Sequence, residues 1–421
     1  MKKKIIFAII ALGVLSVLIF CENFIYTFLK NSLTINYLKA KYFTASVFFK
    51  DSVTEMSLKN AYEESENSSK RKVAQKIKIL IVPGHDAEFS GTEFKGLKEL
   101  ELNLELGEKL YDLLKNNSSF EVYLSQNRQG YNPQLLSYFE KNRESTINFI
   151  ENQKGKMESF IDAGEIKRVV NVEHNFAPSE AALKLFGINK WANKNGMDII
   201  LHIHFNDYAG RKKNQAGKYS GFSIYIPESQ YSNAKGSRSV AESIYYRLRK
   251  LYSHSNLPKE DGGVVEDQEL IAIGSNNTLD GAGILIEYGY IYEPLFVSSE
   301  LRHLVLSDMA LQTYLGILDF FGKDMAVGGP YATSFLPFEW NNSLEVGFKD
   351  KIDILRLQAA LTTAGFYPPS GETKNDCPLT GYFGSCTEKS VKAFQEKYEI
   401  LPAEGFVGQK TRVKLNELFG N

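Results

Sequence analysis

The sequence predicts an α/β domain, with a mixed or mostly parallel sheet flanked by helices, and a small C-terminal three-helix repeat domain. Two observations lead to this prediction. Short apolar, β-rich runs alternate with longer helical patterns between about residues 76 and 323, which is the order of elements in α/β folds. A glycine-containing pattern then occurs twice after residue 345, and it indicates a separate repeat module.

The overall composition narrows the class of protein. The 421 residues include 49 basic and 50 acidic side chains, so no excess of charge favours nucleic acid as a partner. A hydrophobic content of 43% is typical of a globular protein and not of a disordered one. We therefore predict a globular protein of several domains without a nucleic-acid partner.

The N-terminus has the pattern of a membrane-targeting segment. Three lysines, Lys2 to Lys4, precede an uncharged run over 5–21, and no small-residue cleavage site follows that run. We predict an uncleaved signal anchor over 1–21 and a juxtamembrane stalk over 22–75, with the rest of the chain outside the cytoplasm. Secretion after cleavage of the signal is the alternative.

The region from 76 to 323 contains the elements of the main domain. Four apolar runs are predicted as buried strands, at 77–82, 199–204, 221–226 and 283–287. Four segments have helical spacing, at 99–114, 178–195, 239–251 and 299–321. A charge-rich stretch over 142–172 is predicted to form a helix pair, either as a surface insertion or as a lid across a site.

Four polar residues fall where sites of α/β folds gather. His85 follows the first strand, Glu99 opens the first helix, and His204 and Glu287 end two later strands. Two imidazoles and one carboxylate can hold zinc and leave a position open for water, while a second carboxylate moves protons. His202 lies on the same face of its strand as His204 and competes with it as a ligand. On the residues alone, each of these side chains also has an ordinary structural interpretation.

The C-terminal part follows a linker predicted at 324–345 and occupies 346–421. The pattern Gly-aromatic-x-Gly-x-x-Thr occurs at 381–387 and again at 405–411, and each copy follows a helix with an apolar-Gln pair. The threonine of each copy is predicted to cap the next helix. Two cysteines lie nine positions apart in this module, at Cys377 and Cys386. In an exported protein they are candidates for a disulfide, whereas in the cytosol they would be free thiols.

Four motifs within 76–323 resemble, in order and spacing, those of the zinc-dependent N-acetylmuramoyl-L-alanine amidases, the type 3 amidase family. They are Pro83-Gly-His85, Glu99-x-x-x-Asn103-Leu104, Ile203-His-Phe-Asn206 and Leu285-Ile-Glu-Tyr-Gly-Tyr290. The repeat over 346–421 separately resembles the type 1 peptidoglycan-binding domain.

The resemblance implies a function for each candidate residue. His85, Glu99 and His204 would hold Zn²⁺, and Glu287 would be catalytic. The substrate would be the amide bond between N-acetylmuramic acid and L-alanine in peptidoglycan, which would also be the partner of the C-terminal module. Arg128 matches an arginine often found in the family, but no function is predicted for it.

The sequence also departs from the family pattern. It has Val82-Pro-Gly-His-Asp-Ala87 where the family usually has Asp-Pro-Gly-His-Gly-Gly, and it has His202 where a serine is common. Two alternatives therefore stay open, a catalytically impaired scaffold that binds peptidoglycan and a related zinc hydrolase that acts on another amide.

Overall fold

A computed structural model describes residues 51–68, 76–169, 177–208, 210–260, 262–274, 278–323 and 332–420. The predicted signal anchor lies outside these residues, as does the first part of the predicted stalk. Within the described ranges, no helix is both long enough and apolar enough to cross a membrane.

The core of the fold is a six-stranded sheet. Its strands, in spatial order, are β4 (Phe120–Leu124), β1 (Ile77–Pro83), β7 (Ile199–Asn206), β10 (Ala282–Tyr290), β8 (Ser223–Pro227) and β9 (Val264–Asp267). The first four are parallel to one another, whereas β8 is antiparallel to β10 and parallel to β9. Two short hairpins lie outside this sheet, β2–β3 (Glu93–Phe94, Leu97–Lys98) and β5–β6 (Gln126–Asn127, Gly130–Tyr131). The predicted mixed, mostly parallel sheet is confirmed.

Ten α-helices surround the sheet or form the C-terminal module in the described part of the chain. They are α1 (Glu55–Ser68), α2 (Glu99–Lys115), α3 (Pro133–Asp162), α4 (Ser179–Asn195), α5 (Ala234–Leu248), α6 (Pro294–Val297), α7 (Ser299–Phe320), α8 (Lys351–Thr363), α9 (Ser385–Lys397) and α10 (Gln409–Phe419).

Helices cover both faces of the sheet. Because successive side chains of a strand point to opposite faces, Ile79 and Ile81 of β1 join the apolar cluster formed with α2, α5 and α7. Leu80 and Val82 join a smaller cluster with α3 and α4. Burial on both sides explains why β1 is apolar at every position from residue 79 to residue 83.

The helix predicted at 239–251 has different ends in the structure, because α5 begins at Ala234 and ends at Leu248. Gly236 disfavours a helix locally, but it lies so close to Val53 that an added Cβ would be 2.6 Å from a valine methyl. Tertiary packing therefore extends the helix through a segment whose own propensity is low.

The prediction of a helix pair over 142–172 is wrong, because the described part of this stretch contains a single helix. One helix, α3, runs through residue 162 with a kink at Asn142, whose φ of −120° is not helical. The Asn142 side chain donates to the carbonyl of Tyr138 at 2.9 Å, a local bond that competes with the helix ladder. Of the apolar residues in this stretch, Phe160 is buried, whereas Ile147 is 40% exposed. The interpretation as a lid stays a prediction.

Helix α1 lies within the range predicted as stalk and packs on the main domain. Its Tyr62 ring stacks on Phe321 with 4.3 Å between centroids, and Lys323 pairs with Glu66.

The two copies of the C-terminal repeat have the same hydrogen-bonding scheme. Gln358 accepts from the amide of Gly381 and donates to Thr387, and Gln395 accepts from Gly405 and donates to a threonine of its own copy. The predicted capping by the threonines is wrong, because Thr387 lies inside α9 and its hydroxyl accepts from the glutamine.

The predicted disulfide between Cys377 and Cys386 is present.

Polar contacts join the C-terminal module and the segment before it to the main domain. The Lys374 ammonium donates to the carbonyls of Arg249 and Lys250 after α5. Asp308 of α7 is fully buried and accepts from the Thr333 hydroxyl at 2.5 Å.

Candidate functional site

The four predicted site residues come from separate elements that end at one edge of the sheet. His85 follows the end of β1, and His204 lies near the end of β7. Glu287 lies in β10 and is paired in register with His204, while Glu99 is the first residue of α2. The parallel order of these strands places their carboxyl ends side by side.

Three of these side chains form a compact group with the chemistry of a metal site. The Glu99 carboxylate lies between the imidazoles, with Oε2 2.9 Å from Nε2 of His85 and Oε1 3.0 Å from Nδ1 of His204. The three potential ligand atoms all lie within 4.8 Å of one another. Two imidazole nitrogens and one carboxylate oxygen are the donor set of many catalytic zinc sites. The residues therefore fit a metal ion of this kind.

Glu99 is held in place as an anion. Burial by itself would raise its pKa, but the charge of His85 and hydrogen bonds with His204 and His85 outweigh burial and hold the pKa below its ordinary value. Backbone amides add to this stabilisation, since Thr92 donates to Oε2 at 3.1 Å and Phe205 donates to Oε1 at 3.3 Å. A deprotonated carboxylate is the form that binds a metal.

The backbone around His85 is tightly fixed. His85 has a φ of 68°, a conformation uncommon for a residue with a side chain. The Gln126 side chain holds the turn by donating to the carbonyls of Pro83 and His85. A Cβ on Gly91 would lie 2.4 Å from Oε2 of Glu99, so this glycine is required by the close packing of the site.

The sequence departure after His85 has a structural counterpart. Asp86 is buried and accepts from Lys184 of α4 at 2.8 Å and from the Tyr131 hydroxyl at 3.3 Å. Burial would raise the pKa of Asp86, but the hydrogen bond from Lys184 and backbone amides outweigh it, so the pKa is lowered. Asp86 thus ties the loop of His85 to α4 and to the β5–β6 hairpin.

Glu287 lies beside the cluster and is not part of it. Burial, together with the nearby Glu99 and Glu260 carboxylates, raises its pKa well above the ordinary value. Its Oε2 is buried and has no hydrogen-bond partner among the described residues. A carboxyl with a raised pKa is a candidate for proton transfer near neutral pH.

His202 is fully buried and lies outside the group of potential ligands. Burial, and then the neighbouring His204, lowers its pKa to about 3. The imidazole is therefore neutral, and both of its ring nitrogens are buried without a hydrogen-bond partner among the described residues.

Arg128 and the remaining described histidines are not part of the group of potential metal ligands. Arg128 is 58% exposed and pairs with Glu108 at 3.4 Å. His303 pairs with Glu105, and His254 contacts Tyr245. His174 lies outside the described residues.

Sequence reasoning missed a further buried carboxylate near the site. Glu260 is fully buried and accepts from the Tyr225 hydroxyl, from Asn206 at 3.0 Å and from the Tyr290 hydroxyl at 3.3 Å. The residues around Glu260 in the sequence are Lys, Asp and Gly, which gave no signal of burial.

Comparison with known families places both parts of the chain. Residues 79–295, more than half of the chain, match the family model of N-acetylmuramoyl-L-alanine amidase. Residues 351–415 match a peptidoglycan binding domain. No curated protein matches the chain.

Several solved structures are similar to this chain. An N-acetylmuramoyl-L-alanine amidase from Clostridium difficile 630 is 18% identical with a TM-score of 0.35, over 59% of this chain and 99% of that one. The CwlD amidase from Clostridioides difficile, in complex with the GerS lipoprotein, is 16% identical with a TM-score of 0.38, over 59% and 100%. The amidase AmiC2 of Nostoc punctiforme is 15% identical with a TM-score of 0.35, over 59% and 98%.

At these identities and TM-scores, the similar structures add nothing to the assignment, which rests on the sequence match. The matched segment spans more than half of the chain and contains His85, Glu99, His204 and Glu287. The protein therefore belongs to the N-acetylmuramoyl-L-alanine amidase family, carries a C-terminal peptidoglycan binding domain and is an enzyme of that class.

Proposed function

We propose that the protein is a zinc-dependent amidase that cleaves the bond between N-acetylmuramic acid and L-alanine. His85, Glu99 and His204 hold the metal, and Glu287 is the general base and then the general acid. The observation that carries this proposal is the approach of the three ligand atoms, from separate elements, to within 4.8 Å of one another.

The chain supplies the preconditions for this chemistry. Zinc, when bound, polarises the amide carbonyl and lowers the pKa of a water to about 7. Glu99 is kept anionic by its neighbours and by two backbone amides. Glu99 and His204 lie on a helix start and near a strand end, which fix side chains more firmly than loops do. The turn of His85 is held instead by the Gln126 side chain.

Glu287 performs the proton transfers in this proposal. Because Oε2 is buried, we assign to Oε1 the proton taken from the attacking water and passed to the leaving nitrogen. Burial raises the pKa of Glu287 above the ordinary carboxyl value, which makes it a better proton acceptor than an exposed carboxylate, and the same group then returns the proton to the leaving nitrogen.

The C-terminal domain raises the local concentration of enzyme at the wall. A module that binds peptidoglycan makes each later encounter of the catalytic domain with a substrate bond effectively intramolecular. An amidase that acts on the cell wall works outside the cytoplasm, and we propose that residues 1–21 anchor the chain to the cell membrane. The domain boundaries at 323 and 346 are part of the same proposal, whereas the predicted boundary at 76 leaves out α1, which packs on the main domain.

The test compares full-length wild-type protein with Glu287→Gln and with Glu300→Gln, a change at an exposed glutamate of α7. Peptidoglycan digests are analysed by mass spectrometry, and zinc is measured in each sample. We expect wild type and Glu300→Gln to release stem peptides that begin with L-alanine. Glu287→Gln should keep its zinc and lose at least about 100-fold in rate, a typical contribution of general acid–base catalysis.

The alternatives predict other products. A scaffold would sediment with peptidoglycan and release nothing, and a hydrolase with another specificity would release fragments cut at a different amide. Wild-type rates in Glu287→Gln would contradict the assignment of the base.

A further inference from the structure

His204, Glu287 and Ser223 form one row of side chains across three strands of the sheet, and the proposed function assigns no role to Ser223. In the parallel pairing of β7 and β10, His204 lies opposite Glu287. In the antiparallel pairing of β10 and β8, Glu287 lies opposite Ser223. Directly opposed residues point to the same face of a sheet and have Cβ atoms about 5 Å apart. Ser223 is therefore the neighbour of Glu287 on the side away from the metal ligands.

The hydroxyl of Ser223 is buried and makes no hydrogen bond within the described structure. The residue is fully buried, and its Oγ has no hydrogen-bond partner among the described residues. The buried Oε2 of Glu287 also lacks a partner there. An unpaired buried polar atom costs free energy, and alanine would fill almost the same volume as serine without that cost. Ser223 Oγ is an unpaired donor and Glu287 Oε2 an unpaired acceptor on opposed residues, which indicates that they form a hydrogen bond at some stage of the reaction.

The other polar groups near Glu287 are less suited to hold its Oε2. The Tyr225 hydroxyl lies on the same face but already donates to Glu260. His202 is opposite Leu285 in the parallel register, so it lies diagonal to Glu287 and farther away. A change of the Ser223 χ1 angle between staggered rotamers is the movement that would turn its Oγ towards the carboxylate.

We propose that Ser223 is a positioning residue for Glu287. Its Oγ–H donates to Oε2 when substrate and metal are in place, and this directs Oε1 towards the attacking water. A hydrogen bond to an ionised acceptor is stronger than one between neutral groups, so one hydroxyl can fix the carboxylate. This inference rests on the proposed amidase function and adds a residue that sets the geometry of its base.

The test uses the full-length, zinc-loaded protein and a soluble muramyl peptide that retains the N-acetylmuramic acid to L-alanine bond. Ser223→Ala is compared with Ser390→Ala, which removes an equally buried and unpartnered hydroxyl from α9 in the C-terminal module. We expect kcat of Ser223→Ala to fall about 10- to 100-fold, the value of one hydrogen bond to a charged group. KM should stay within about twofold because substrate contacts are unchanged.

Four readouts separate positioning from a purely structural effect. Zinc content of Ser223→Ala should equal that of wild type, and its unfolding midpoint should be unchanged or higher because an unpaired buried hydroxyl is lost. Ser223→Thr, which keeps the hydroxyl, should regain part of kcat. Ser390→Ala should have the kcat of wild type.

Other results would overturn the inference. Wild-type kcat in Ser223→Ala would contradict the positioning role. A loss of kcat that appears only together with loss of zinc or of stability would also contradict it. If His202→Ala loses kcat while Ser223→Ala does not, the histidine orients the base instead. If wild type itself cleaves nothing, the proposed function fails, a result distinct from a fully active Ser223→Ala.

Discussion

Replacement of Glu293 by glutamine should make the protein more stable at neutral pH and leave it unchanged in acid. Glu293 follows β10, and its Oε1 accepts from the amides of Tyr290 at 2.7 Å and Gly221 at 2.9 Å. Burial, which outweighs these two hydrogen bonds, raises its pKa from 4.5 to about 7. The folded protein therefore favours the protonated carboxyl, which glutamine imitates.

The sign and the size of this change in the free energy of unfolding follow from proton linkage. Below pH 4.5 both the folded and the unfolded chain carry the proton, so Glu293 has no effect on the pH dependence. Between 4.5 and 7 only the unfolded chain ionises, and stability falls as pH rises. The pKa values of 4.5 and about 7 correspond to a loss of about 3 kcal/mol above pH 7, of which about 2.5 kcal/mol falls between pH 5 and 8.

Urea unfolding of the metal-free, full-length protein in the presence of a chelator measures this effect. The free energy of unfolding of Glu293→Gln minus that of wild type should grow by about 2.5 kcal/mol from pH 5 to pH 8. Glu396→Gln, a change at an exposed residue of α9, should show no such growth. A Glu293→Gln difference that is the same at both pH values would refute the reasoning.

Two further variants, one single and one double, test the packing of the site and the disulfide. Gly91→Ala should lose most of the bound zinc, because the new Cβ would lie 2.4 Å from Oε2 of Glu99 at a φ of +74°. Metal analysis compares this variant with Gly155→Ala, whose added Cβ would meet no atom within 4 Å. Full zinc in Gly91→Ala would count against the proposed ligand site. The double change Cys377→Ser and Cys386→Ser should lower the free energy of unfolding by about 2.5 kcal/mol, as expected for a loop of this length. Urea titration measures that loss, and an unchanged midpoint would show that the disulfide adds no stability.

Much of the fold could be predicted from local patterns of apolar residues, because burial requires apolar side chains at set positions of a strand. The apolar runs of β1 and β10 predicted strands covered on both faces, and the strands occupy those positions. The start of α2 at Glu99 was also predictable, since acidic residues favour the first turn of a helix. Where packing opposed propensity, as at Gly236 in α5, the predicted boundary was wrong.

The surroundings of the site could not be predicted from local patterns, because their contacts join distant parts of the chain. Asp86 and Lys184 are 98 positions apart, and Glu260 meets three strands through hydrogen bonds. Neither contact has a characteristic spacing in the sequence. The approach of His85 to His204 was expected because strand ends of a parallel sheet share one edge, and the position of Glu99 between them was expected from the family resemblance.

The zinc content of the purified full-length protein tests the central claim most directly. Wild type should bind about one zinc per chain at a catalytic site of three protein ligands. Single replacement of His85, Glu99 or His204 by alanine should each remove most of it, whereas His202→Ala should keep it. Full zinc in Glu99→Ala, or loss of zinc in His202→Ala with retention in His204→Ala, would contradict the proposed ligand set.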